Sequence, residues 1–164
     1  MPYNPGIKAQ AKTLAKLGAT AKADNFHGIY NAILNEWFPP SEYYAIEPHD
    51  PRKSGRKSFV VCHYGGHHDH PLLVVVLKRP AKWNDAGKQE VLEHLTESMQ
   101  AQFDEAQYNT IYGLGGIGLQ WMVCKMERDG LLMPTTVLDW HDDISSDLSC
   151  NAFEAVAASI HDIR

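Results

Sequence analysis

The chain has 164 residues, 44% of them hydrophobic and 21% charged, which fits one globular domain and excludes a disordered chain or a polypeptide made of membrane spans. Its net charge of −5 argues against indiscriminate nucleic-acid binding, yet the charge is polarised: Arg52 to Lys88 holds eight basic and two acidic residues (+6), and the remainder holds seven basic and eighteen acidic ones (−11). Three scattered cysteines, Cys62, Cys124 and Cys150, define no disulfide framework, and the apolar core of a signal peptide is not seen at the start, so an intracellular protein, cytoplasmic or nuclear, is expected.

In chain order, residues 7–17 read as a short helix with Ile7, Leu14 and Leu17 on one side. Lys8, Lys12 and Lys16 form a solvated stripe on another. Phe26, Ile29, Tyr30, Ile33, Leu34 and Trp37 recur at three- and four-residue steps and predict a stronger helix. Asp24 or Asn25 can cap its start and Pro39-Pro40 ends it, with Glu36 at the edge of the stripe. A short strand is expected over 43–46, then a polar loop, EPHDPRKSGRK, that includes Glu47 and Asp50. Strands over 58–64 and 72–78 follow, joined by GGHHDHP as a hairpin connection. The run LLVVVL lacks polar alternation, so it belongs in the middle of a sheet covered on both faces. Residues 84–106 predict a long helix with Val91, Leu92, Leu95, Met99 and Phe103 inward. Strands over 110–112 and 119–126 flank GLGGIG, another is expected over 135–139, and Asn151 with Glu154 resembles a capping box opening a last helix. This order predicts an α/β fold, a mixed β-sheet flanked by helices. It forms one domain over 1–164, with an N-terminal arm at 1–23, a core at 24–126 and a C-terminal extension at 127–164.

Three motifs carry chemistry. Gly113-Leu-Gly115-Gly-Ile-Gly118 satisfies GxGxxG, with Asp139 further on, but the strand before it is short and too little chain follows for a doubly wound sheet. A glycine-rich strand connection is the better expectation. His63, His67, His68 and His70 with Asp69 are dense enough to hold zinc, copper or nickel, although the spacing matches no structural zinc site, and adventitious binding is the simpler expectation. At the far end of the same hairpin, a turn centred on 66–70 would set Ser58 opposite Lys78 and Val60 near Val76. Val74, Val76 and Lys78 then share one face. A Lys closing a buried strand needs water or an anion for its ammonium. Arg56, Lys57, Lys78, Arg79 and Lys82 converge there, which points to a site for phosphate groups.

The order α-β-β-β-α-β with Lys78 closing the third strand resembles the PD-(D/E)XK, or restriction-endonuclease-like, superfamily. SFVVCHY, HPLLVVVLKRP, GKQEVLEHLTESM and NTIYGLGGIGLQWMVCKM look like fungal members of that group. The resemblance implies an αβββαβ core and, in active relatives, a strand Asp and a Glu two residues before the Lys that hold Mg²⁺ or Mn²⁺ for phosphodiester cleavage. Here Ser58 stands at the Asp position and Val76 at the Glu position. Only Lys78 remains, with Glu36 and Gln89 as further matches. The expectation is a non-catalytic nuclease-fold domain that binds nucleic acid or another polyanion and needs no cofactor. The alternatives are a divergent metal-dependent nuclease using Glu36, Glu47 or Asp50, and a protein-interaction or effector-like module. No membrane partner is expected.

Overall fold

The computed structural model describes residues 2–49, 58–65, 68–130 and 132–163. Two helices open the chain, α1 (Pro5–Ala15) and α2 (His27–Trp37). They are followed by β1 (Tyr44–His49), β2 (Ser58–Gly65), β3 (His68–Lys78), α3 (Asp85–Gln102), β4 (Thr110–Ile117), β5 (Gln120–Glu127), β6 (Thr135–His141) and α4 (Asp147–His161). The six strands among the described residues form one sheet in chain order. Every seam is antiparallel except β3–β4, which is parallel and has α3 as its crossover. The fold is therefore α/β, with a mixed sheet and helices on both faces.

Residues 72–77 are buried without a break because the sheet is covered twice. Val60, Val74 and Val76 meet Val91, Leu95 and Met99 of α3 on one face. Val61, Leu73, Val75 and Leu77 meet α1, α2 and α4 on the other. On that second face Ile7, Ala11 and Leu14 anchor α1, whereas Leu17 is exposed. Lys8 reaches Asp147 at 2.6 Å and ties α1 to the start of α4. Among the described residues no helix is long and apolar enough to cross a membrane.

The glycine motif is neither a phosphate loop nor a connection. Gly113, Gly115 and Gly116 lie inside β4, and after the turn at Gly118 (φ 62°) comes a strand, not a helix. A Cβ on Gly115 would stand 2.4 Å from Val91, and one on Gly116 would stand 2.5 Å from the Tyr30 hydroxyl. Missing side chains thus let α3 and α2 close on the central strand from opposite sides.

The hairpin also differs from expectation. β3 begins at His68, four residues earlier than predicted, so most of GGHHDHP is paired strand and not connection. His63 pairs with His70 and Tyr64 with Asp69, a bulge follows at Val61/Cys62, and Ser58 comes to lie opposite Val76, not Lys78. Val60 likewise pairs with Val74. Alternation explains why polar residues are tolerated there: Asp69 is exposed on one face while His70 is buried on the other. Glu47 belongs to β1, opposite Val60, not to a loop.

At the C-terminal end the cap is Ser146, whose hydroxyl accepts from the Ser149 amide at 3.1 Å. Asn151 is already inside α4, so the Asn151/Glu154 box is not the helix start. Leu148, an apolar residue left exposed in the first turn, hides that start from a reading based on periodicity. Ser149 also accepts from the indole of fully buried Trp121 at 2.9 Å, locking α4 onto β5.

Candidate functional site

The end of β3 is held by its neighbours. The Lys78 carbonyl accepts from the Gly118 amide at 3.0 Å, and the Tyr30 hydroxyl donates to the Gly118 carbonyl at 2.9 Å. Burial pushes the Tyr30 hydroxyl pKa far up, so the donor stays protonated. The chain then makes a 3₁₀ turn over Pro80–Lys82 before Asn84 caps α3 through the Gly87 amide at 2.8 Å. A Cβ on Gly87 would lie 1.8 Å from the Lys82 carbonyl, so only glycine lets this turn sit directly against the first turn of α3.

That contact brings two lysines to one carboxylate. Lys82 donates to Glu90 Oε1 at 3.1 Å, and Lys78 Nζ lies 3.6 Å from Oε2. Lys78 keeps 18% of its side chain exposed, so its stem is buried and its ammonium meets a charge. The hydrogen bond from Lys82, then its charge, and more weakly Lys78, hold the Glu90 carboxyl below the usual glutamate range. Reading the sequence missed Glu90. The available signal was that a Lys closing an apolar strand requires a counter-charge, and the helix after it offers few.

Arg79, the residue after Lys78, is exposed. Lys88 on α3 places Nζ 4.2 Å from the ring centroid of Trp83, and Trp83 meets Trp140 of β6 at 5.3 Å and 76°. Trp83 and Trp140 were also missed, because a single Trp in a loop and another in a strand carry no spacing pattern. Of the five predicted binding residues, Lys78 and Lys82 are brought together on Glu90, Arg79 is exposed next to Lys78 in the chain, and Arg56 and Lys57 lie outside the described residues.

The predicted catalytic residues are not assembled. Lys78 faces α3, whereas Glu36 is exposed on α2 across the sheet, where its charge bears on Tyr3 and Cys150. Gln89 is exposed and donates to Glu93 at 3.1 Å. Ser58 and Val76 are directly paired, both buried, on the face that carries Lys78. Asp50 is outside the described residues.

The histidine set is divided between faces. His63 and His70 lie side by side, His63 against the Tyr44 ring and buried His70 against Tyr108. Asp69 points to the opposite face, His67 is outside the described residues, and for His68 only the backbone is described. Among the described residues no three His, Cys, Asp or Glu side chains gather closely enough to hold a metal ion.

Asp69 instead joins Glu47, Glu105 and Cys62 around a cavity of about 280 Å³ beneath α3. Burial, reinforced by these three carboxylates, pushes the Cys62 thiol up to about 12. Glu47 is level with Val74, four residues or roughly 13 Å along the strand from Lys78. The α3 face of the sheet is therefore basic at one end and acidic towards the other. Comparison with protein-family models, with curated proteins and with solved structures returned no match.

Proposed function

We propose that this domain binds nucleic acid or another polyanion at the end of β3 and does not cleave it. The observation that carries the reading is the Lys78–Glu90–Lys82 cluster, with exposed Arg79 between the two lysines in the chain, which offers phosphate oxygens cations at the end of β3 and on the 3₁₀ turn packed against α3. The chain order α2, β1, β2, β3, α3, β4 supports a distant relation to the PD-(D/E)XK fold. So does the pairing of Ser58 with Val76, the two positions where that resemblance expects carboxylates, two residues before Lys78 on one face. With a hydroxyl and an isopropyl group at those positions, the anionic carboxylates that would hold Mg²⁺ or Mn²⁺ are missing there.

Two measurements test this reading. Purified protein with supercoiled plasmid and Mg²⁺ or Mn²⁺ should yield no nicked or linear product; cleavage that disappears in Lys78→Ala would overturn the non-catalytic part. Oligonucleotide affinity should fall steeply with salt, with a log–log slope of roughly −0.7 to −0.9 per phosphate contact. It should also drop in Arg79→Ala/Lys82→Ala whatever the base sequence. Affinity indifferent to salt and to that double substitution would place the site elsewhere.

A further inference from the structure

We infer that the polyanion is a single-stranded nucleic acid, one base of which stacks on Trp83; this rests on the reading just given and narrows it. An indole of this size is normally buried, yet Trp83 is 37% exposed in the middle of the basic corner. It directly follows Lys82, its ring carries the Lys88 ammonium at 4.2 Å, and nearly perpendicular Trp140 at 5.3 Å buttresses it. The ring is thus held in one orientation by rigid elements, α3 on one side and β6 on the other, while part of its surface stays open.

The charges nearby are modest. Across residues 78–90 there are four cations, Lys78, Arg79, Lys82 and Lys88, against Asp85 and Glu90. Two of the four are already shared with Glu90. Such a corner can neutralise few phosphates, too few to grip a duplex by its backbone alone. A duplex also keeps its bases stacked inside and presents no ring to Trp83. An unpaired strand offers both parts of the match, phosphates for Arg79 and Lys82 and a free π-face for the indole, which is how sequence-tolerant single-strand sites are built.

The test compares three probes on the full chain at low salt: a short oligothymidylate, a duplex of equal length, and inorganic polyphosphate. Oligothymidylate should bind more tightly than the duplex and quench tryptophan fluorescence, whereas polyphosphate should bind without comparable quenching. Trp83→Ala should lose roughly five- to a hundredfold in affinity for oligothymidylate and keep its affinity for polyphosphate, and Trp83→Phe should retain most of the binding. If Trp83→Ala does not fold, the quenching contrast in the native chain and the Trp83→Phe affinity decide the matter. Equal affinity for strand and duplex, or Trp83→Ala binding oligothymidylate like the native chain, overturns the stacking inference and leaves the polyanion reading standing. Failure of all three probes to bind sinks both.

Discussion

Two ammonium groups share the Glu90 carboxylate, Lys82 at 3.1 Å and Lys78 at 3.6 Å, and any phosphate that approaches must compete with it. Pairing holds the Glu90 pKa below its ordinary range. Its contribution to stability is therefore present above that range and is lost as pH falls through the lowered value. The same protonation frees both lysines. Glu90→Gln should accordingly raise affinity for an oligonucleotide at neutral pH about two- to fivefold, the scale of an exposed ion-pair interaction. It should also flatten the acid-side gain in binding expected of the native chain. Anisotropy titrations across a pH series read both effects; an unchanged affinity would mean that neither lysine touches the ligand. At this scale Lys78 and its neighbours were legible in the sequence, because a cation closing an apolar strand is a local conflict. Glu90 and Trp83 were not, because the packing of the Pro80–Lys82 turn on Gly87 sets Glu90 beside the lysines and a single Trp in a loop carries no spacing pattern.

The helices and strands divide in the same way. α2 and α3 announce themselves by their apolar stripes, and β2 and β3 by their β-branched runs. β4 does not, since three of its eight residues are glycines that carry no hydrophobic signal and yet sit in a strand closely covered on both faces. Substituting Gly115 tests that reading. Gly115→Val would drive its methyl groups into Val91 and wedge α3 away from the sheet, destabilising the domain by about 1–3 kcal/mol in urea unfolding. A stability within about 0.5 kcal/mol of the native chain would mean that α3 has room to retreat. The hairpin register was misread for a related reason. In the sequence the His/Asp run has turn character, while β3 accommodates it by alternation, with His70 against Tyr108 inside and Asp69 outside.

For the molecule as a whole, the two covered faces leave all three thiols inside. Burial pushes Cys62 and Cys124 up to about 12 and raises Cys150 as well. Thiolate, not thiol, attacks disulfide reagents, and around Cys62 the carboxylates also repel an anionic one. At pH 8 an anionic aromatic disulfide should therefore label the native protein very slowly and label three thiols promptly in urea. In low urea the labelling rate should follow the opening equilibrium of the domain. Prompt labelling of one cysteine in the native state would show that its face of the sheet opens independently. The α3 face of the sheet also carries a polarity of its own, since Lys78 and Lys82 lie at one end while Glu47, Asp69 and Glu105 gather towards the other.

The single parallel seam divides the sheet into two meanders, β1–β2–β3 and β4–β5–β6, each of which pairs only strands that are neighbours in the chain. Antiparallel neighbours close short loops, while the β3–β4 seam requires the whole α3 crossover to be spanned before its first hydrogen bond is rewarded. Within the sheet, pairing of high sequence separation thereby falls on one line through its middle, and that line is expected to form more slowly than either meander. Until that line forms, each meander presents a long apolar strand, β3 or glycine-rich β4, as an open edge. The central seam is thus the slow pairing step expected within the sheet and the place where an incompletely folded copy is expected to pair with another.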